Sequence, residues 1–359
     1  MQDALFPDEE ADSDADAKAR MGLGPAKAKP RAKSASGAAV RPHPPDPALQ
    51  TLAAELPALL RLGTSSWTYP GWTGLVWEDD YADTALSKNG LSAYAKHPLL
   101  RAVSIDRTFY RPLTNSQFSR YASQVPDDFR FVVKAPSLIT DAQVRDDQGK
   151  GFTANIAFMD PVMAVQEFVQ PALEGLGAKI GALVFQISPL PTAMLRNMPE
   201  VLQRLEAMLT ALPALRPLAP NGVIAVEVRD PAFLTPEFVA ILRSVGATYC
   251  LGLHPKMPPI EDQLPLLRKL WPGPLVCRWN LNLLHGPYGY EDAQERYSPY
   301  DKTMDPDPVT RQALARVIAG TVGAGQPAFV TVSNKAEGCA PLSVAALAQA
   351  VLDLQRLRN

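Results

Sequence analysis

Cysteine and histidine are both scarce in this chain of 359 residues. The three cysteines, Cys250, Cys277 and Cys339, are odd in number and lie far apart along the chain. Such a set argues against a disulfide framework or a zinc cluster and is typical of a reducing compartment, so we expect a cytoplasmic protein. No two of the four histidines form an H-x-x-x-H pair, so we expect no histidine-based metal site.

Long apolar runs and a surplus of one charge are missing as well. No stretch of about 18 uncharged apolar residues is present, so the sequence predicts no membrane span. The acidic N-terminus lacks the charged-then-apolar pattern of a secretion signal. The formal net charge is −2, which gives no overall basic field to draw the protein onto nucleic acid or an acidic membrane.

Motifs that bind phosphates or cofactors are also missing. The glycines at 63–71 lack the spacing of a dinucleotide-binding fingerprint, and the sequence contains neither a P-loop nor a G-x-S-x-G elbow. We therefore expect no cofactor. A magnesium or manganese site built from oxygen ligands is an open alternative that no motif supports.

Residues 1–50 differ in composition from the rest of the chain. Seven acidic residues lie between Asp3 and Asp16, and seven basic residues follow between Lys18 and Arg41 among Ala, Pro, Gly and Ser. So little apolar surface cannot offset the entropy lost on ordering, which predicts a disordered tail. The tail is interpreted as a solvated leader; the alternative is an electrostatic arm for a partner such as nucleic acid.

Short apolar runs alternate with helical patterns from residue 59 onward. Each run is nearly continuous in apolar residues, which is typical of a strand buried on both faces in a parallel sheet. The predicted strands are residues 59–65, 102–110, 129–135, 180–188, 223–230, 247–253, 274–280 and 328–334. The clearest predicted helices are residues 86–97, 116–125, 193–212, 236–244, 260–270, 308–319 and 342–357.

Strict alternation of strands and helices predicts an α/β fold, either a closed barrel or an open doubly wound sheet. Eight strands favour a single (β/α)8 TIM-type barrel over residues 51–359. The segment near 142–176 is long enough to be an insertion on the upper side of the barrel, and a long loop near 284–307 follows the seventh strand.

Polar side chains stand where the predicted strands end. In a barrel these ends surround the active-site mouth, so position alone identifies candidates. The candidates for substrate binding are Thr64, Trp67, Tyr69, Asp106, Thr108, Tyr110, Arg111, Arg229, Arg278 and Asn334. Gln186, His254 and Asn280 stand at other strand ends, and no role is assigned to them.

Glu227 and Lys134 are the candidates for proton transfer. Each places a charge at the end of an apolar strand, which is costly unless the charge is paired or used. Alternation along a strand sends Glu227 and Arg229 to the same face, where they pair or each meet a ligand. The alternative is a layer of ion pairs that plugs the barrel without chemistry.

Each of the remaining candidates has a structural interpretation beside the ligand-binding one. Arg111 and Arg278 suit a bidentate clamp on a carboxylate or phosphate, or a structural pair with Asp106 or Glu227. Trp67 and Tyr69, with two further tryptophans nearby, suit a platform for a ring-shaped ligand or a packed lid over the barrel. Tyrosines at 288, 290, 297 and 300 mark a second aromatic loop after the seventh strand.

Five stretches together resemble the domain-of-unknown-function-72 (YecE-like) family. They are GTSSWTYPGW at 63–72, VSIDRTFYR at 103–111, FRFVVKAP at 129–136, VEVR at 226–229 and VSNKAEG at 332–338. The resemblance implies a TIM-type barrel with a polar mouth and an uncharacterised activity. By match it carries over Thr108, Tyr110, Arg111, Lys134, Glu227, Arg229 and Asn334 as mouth residues.

The chain departs from the family pattern at four positions near this mouth. Ser104 and Asp106 stand where the family has Glu and Asn, and Asp141 and Asp230 stand where it has His. A mechanism that needs those histidines is therefore not expected here.

The leading functional hypothesis is an enzyme that acts on a small polar or anionic substrate by acid–base chemistry at the C-terminal barrel mouth. Two alternatives stay open. One is a non-catalytic module that binds a ligand, or nucleic acid through the basic segment of the tail. The other is a metal-assisted hydrolase that uses Asp106, Glu227 and other oxygens.

Overall fold

The structure is a computed structural model that describes residues 39–145 and 152–357. Eight parallel strands form a closed barrel, which confirms the predicted (β/α)8 architecture. They are β1 (Leu60–Thr64), β2 (Ala102–Ile105), β3 (Arg130–Lys134), β6 (Ile180–Gln186), β7 (Val223–Glu227), β8 (Thr248–Leu253), β9 (Leu275–Trp279) and β10 (Ala328–Val332). Neighbours in sequence are neighbours in the barrel, and β10 closes it by pairing with β1, Leu60 opposite Ala328.

Side chains alternate between the barrel interior and the helix layer. Seven buried side chains fill the interior: Val132, Ala182, Val184, Ala225, Cys250, Val276 and Phe329. The opposite face of each strand joins the larger core beneath the helices. The strands are therefore apolar on both faces, which explains why they appear as continuous apolar runs in the sequence.

Helices cover the barrel on its outer side. The longer ones are α1 (Pro47–Glu55), α2 (Asp83–Asn89), α4 (Asn115–Ala122), α7 (Gln170–Leu176), α9 (Met198–Thr210), α10 (Pro236–Ser244), α11 (Ile260–Lys269), α12 (Tyr290–Tyr297), α13 (Pro308–Gly323) and α15 (Ala340–Arg356). Single-turn helices are α3 (Leu91–Tyr94), α5 (Ser137–Thr140), α6 (Pro161–Ala164), α8 (Thr192–Leu195) and α14 (Asn334–Glu337). Polar caps fix several starts; Thr114 and Gln117 form a capping box on α4.

The segment between β3 and β6 contains more structure than its composition indicates. It begins with α5 and continues into an antiparallel hairpin of β4 (Gln143–Arg145) and β5 (Phe152–Ala154). A continuous helical stretch follows from α6 through a π-helical turn, Val165–Val169, to α7. The helix predicted from Pro161 is present, whereas residues 146–151, the centre of the predicted charged loop, lie outside the described residues.

The predicted tail lies only partly within the described residues. Residues 1–38 lie outside them, so the prediction of disorder there stays a prediction. Residues 39–50 are packed: Val40 is buried, the His43 amide donates to the Val76 carbonyl (2.8 Å), and Asp46 caps α1. The folded part of the chain therefore begins earlier than residue 51. No helix in the described ranges is long and apolar enough to cross a membrane.

Candidate functional site

Four charged side chains form a connected layer at the C-terminal end of the barrel. Arg278 in β9 bridges two carboxylates: its Nη1 lies 2.6 Å from Glu227 Oε2 and its Nη2 lies 2.7 Å from Asp106 Oδ2. Glu227 Oε1 in turn lies 2.7 Å from Arg229 Nη1. We call these residues, Asp106, Glu227, Arg229 and Arg278, the charged layer.

Uncharged polar side chains complete the charged layer. The Gln186 side-chain oxygen accepts hydrogen bonds from Arg229 Nη2 (3.1 Å) and Arg278 Nη1 (3.0 Å). Asn280 donates to Glu227 Oε1 at 3.2 Å, and Ser104 donates to Asp106 Oδ1 at 2.6 Å. Ser104 and Arg278 thus engage different oxygens of the Asp106 carboxylate.

Glu227 is a buried carboxylate that two arginines stabilise in its charged form. Its side chain is 0% exposed, and both oxygens contact arginine. Burial opposes the charge, but Arg229 and Arg278 outweigh it and hold the pKa of Glu227 below its ordinary value. The two carboxylates and two guanidinium groups balance in charge, which lets the layer stay buried.

Lys134 stands apart from these pairs. It ends β3, and its Nζ lies 3.4 Å from the centre of the Phe109 ring. No hydrogen bond or ion pair to Nζ occurs among residues 39–145 and 152–357. Burial lowers the pKa of Lys134 to about 7, and the positive charge of Arg278 acts in the same direction. At neutral pH a large fraction of this amine is therefore uncharged.

Loops after β8, β9 and β10 bring aromatic and basic side chains to the same rim. Tyr290 lies within electrostatic reach of all four residues of the charged layer, and the surrounding protein raises its pKa. The Tyr290 ring lies 5.3 Å from the ring of His254 and 5.8 Å from Lys335 Nζ. Lys256 Nζ lies 4.5 Å from the exposed ring of Tyr288. The rim thus adds cations above a charge-balanced layer.

The aromatic residues predicted as a platform after β1 are packed instead. Trp67 is buried and meets Tyr121 edge to face, with ring centres 5.3 Å apart. Tyr69 packs between Trp72 and Tyr300 at 4.9 and 5.4 Å. This arrangement favours the packed-lid alternative.

Thr64 and Asn334 face the helix layer. The Thr64 hydroxyl lies 2.8 Å from the Tyr94 hydroxyl, and the Asn334 side-chain oxygen accepts from Trp72 Nε1 (3.2 Å) and from the Ala340 amide (2.8 Å). These bonds join loops to helices, so both residues serve the architecture of the rim.

The predicted site residues that follow β2 lie in two different environments, one buried and one exposed. Thr108 is buried, and its hydroxyl lies within 2.7 and 2.5 Å of the carbonyl oxygens of Ile105 and Lys134. It therefore ties the ends of β2 and β3 together. Tyr110 and Arg111 are exposed at the surface. Of the predicted site residues, the structure brings together Asp106, Lys134, Glu227, Arg229 and Arg278.

Three polar side chains near the site had no assigned role in the sequence prediction. Gln186, Asn280 and His254 all belong to strand ends, and each follows the interior parity of its strand: Gln186 after Val184, Asn280 after Arg278, His254 after Gly252. Counting alternate residues from the apolar interior is the signal that identifies them. Among the described residues no group of three or more His, Cys, Asp or Glu is arranged to hold a metal ion.

Comparisons with known proteins agree with this fold. The family model for the protein of unknown function DUF72 matches residues 61–358. Two crystal structures of a DUF72 family protein from Enterococcus faecalis are 16% and 17% identical, with TM-scores of 0.48 and 0.50; each covers 82% of this chain, and the matches span 98% and 95% of the solved chains. One from Thermotoga maritima is 16% identical, with a TM-score of 0.47, covering 84% of this chain and 100% of the other.

No curated protein matches the chain. At such low identity the likeness to the solved structures shows the fold alone, whereas the family model covers most of the sequence. The chain therefore belongs to the DUF72 family of proteins of unknown function.

Proposed function

We propose that the protein is an enzyme that acts on a small polar, anionic substrate by acid–base chemistry at the C-terminal mouth of the barrel. Lys134 is the group that takes up and returns the proton. The observation that carries this proposal is an amine without a hydrogen-bond partner among the described residues, whose pKa lies at about 7. A general base works best when its pKa is close to the operating pH.

Glu227, a candidate for proton transfer by its strand position, has a positioning role in this proposal. A carboxylate whose pKa is held low, with both oxygens engaged, is a poor proton acceptor at neutral pH. We assign it the positioning of Arg229 and Arg278, whose positive charges add to the effect of burial in lowering the pKa of Lys134.

The preference for an anion follows from the charges around the mouth. The charged layer sums to zero, so protonated Lys134 adds a positive charge beyond that balance, and Lys256 stands on the same rim. A cleft lined by one sign of charge concentrates ligands of the other sign. We further propose a cytoplasmic location, for which the free, buried thiols of Cys250, Cys277 and Cys339 are the support.

The test uses the full chain and its Lys134→Met variant, with Lys96→Met as a control because Lys96 is an exposed lysine before β2. Each protein is incubated with a small-molecule extract, and mass spectrometry measures both the metabolites retained and those converted. We expect conversion by the wild type and the control and none by Lys134→Met. Equal conversion by all three would remove the proposal, and retention without conversion would favour a ligand-binding module.

A further inference from the structure

A cleft of about 160 Å³ lies beside the charged layer, outside the barrel wall. It is bounded by the ends of β8 and β9 and by the first turns of α11 and α13. Its walls are mainly apolar, with Leu253, Ile260, Trp279, Leu281 and Val309 among them. None of the groups assigned above to proton transfer lines it, so the proposed chemistry leaves this cleft unused.

The polar residues His254, Glu261, Asp307 and Thr310 also line this cleft, and of these four only His254 is buried. It is only 3% exposed, yet it forms part of the wall. Its Nδ1 accepts a hydrogen bond from the Lys256 amide at 3.0 Å, which fixes the ring proton on Nε2. Nothing in the described part of the chain accepts a hydrogen bond from Nε2.

The ring of His254 stays neutral, so it offers a donor and no charge. Burial lowers the pKa of His254 to about 3, and Arg229 acts in the same direction. His254 also lies within the electrostatic field of Arg229, and its ring centre lies 5.3 Å from that of Tyr290. A ligand oxygen in the cleft would therefore supply the acceptor that Nε2–H lacks within the described part of the chain.

We propose that this cleft binds a ring-sized apolar group that carries an acceptor oxygen, and that His254 Nε2–H donates to that oxygen. The volume fits, because a cavity of about 150 Å³ in another protein takes up benzene. The inference goes beyond the proposed function, since none of the groups assigned to proton transfer lines the cleft.

Phenol and toluene are the probes, because they match in size and only phenol has the oxygen. Titration of the full chain followed by NMR gives both affinities. We expect His254→Phe to weaken phenol about fivefold, the usual worth of one hydrogen bond, and to leave toluene unchanged. Ala313→Leu, which adds volume at the cleft wall, should weaken both probes. His97→Phe is the matched control, because His97 Nδ1 also accepts a backbone amide, from Leu99, far from the cleft.

Several results overturn the inference. They are equal phenol affinity in wild type and His254→Phe, equal affinity of the wild type for the two probes, or no saturable binding of either probe. Unfolding curves of each variant separate loss of binding from loss of folding. Lys134→Met should keep phenol binding intact, so a failure of the proposed proton transfer leaves this result standing, and the reverse holds as well.

Discussion

Glu227→Gln tests the electrostatic design of the site most directly. The substitution keeps the size of the side chain and removes one negative charge from a position that is 0% exposed. Arg229 and Arg278, at 2.7 and 2.6 Å, then lose the carboxylate that they share. One of the two amide positions is also an NH2 group, which cannot accept a hydrogen bond from a guanidinium.

The expected loss follows from the fate of the charges that remain. Removal of one partner from a buried ion pair costs about 3–5 kcal/mol, since the other charge is left buried and uncompensated. Asp106→Asn is the control, because the Asp106 side chain is 33% exposed and Arg278 keeps its contact with Glu227. We expect that variant to lose about 1 kcal/mol or less.

Urea unfolding followed by circular dichroism measures both variants. The midpoint of Glu227→Gln should fall by roughly 1–2 M with an unchanged slope. The pH dependence has a defined sign, because the pKa of Glu227 is lowered in the folded protein. Its contribution is present above the unfolded value of about 4.3 and disappears as the pH falls through the folded pKa. A loss below about 1 kcal/mol at pH 7 would refute the reasoning.

Further predictions concern Lys134 and two glycines. Lys134 should be the lysine that acetic anhydride modifies fastest at neutral pH, with a rate midpoint near its pKa of about 7 by peptide mass spectrometry; a midpoint above about pH 9 contradicts this. Because the unfolded chain binds the extra proton between about pH 7 and 10, the stability of the wild type relative to Lys134→Met should rise with pH in that window. Gly63→Ala should strongly destabilise the barrel, because its Cβ would lie 1.9 Å from the Ala102 oxygen. Gly320→Ala meets no atom within 4 Å and should gain up to about 1 kcal/mol by thermal unfolding; equal effects of the two glycine variants would be inconsistent with the structure.

The barrel was predictable because each strand is buried on both faces. Such strands give continuous apolar runs that are separated by amphipathic helices, and eight of them are visible in the sequence. The β4–β5 hairpin carries no such signal. Its strands span three residues each, and the Val144 and Phe152 side chains are exposed, so no alternation marks them.

The site was predictable to the extent that strand parity decides where side chains point. Glu227, Arg278 and Lys134 share the interior face of their strands, and all lie at one end of the barrel. Thr64 shares its face of β1 with Leu60 and Leu62, so counting alternate residues places it against the helices. A strand-end position alone therefore selects more residues than the site contains. The contacts of residues beyond a strand end, such as Asn334, depend on loop geometry that no periodicity describes.

The buried ion pairs of the charged layer and the amine of Lys134 have different but connected roles in the proposed function. The layer pairs each of its carboxylates with a guanidinium group, which is the arrangement of a structural ion-pair plug. Fixed and desolvated charges nevertheless act strongly on a neighbour, since little water screens them. Lys134 is that neighbour, and its pKa of about 7 reflects both burial and the guanidinium of Arg278. The ion-pair plug and the acid–base site, which appear as alternatives in the sequence, therefore become two parts of one device in the proposed function.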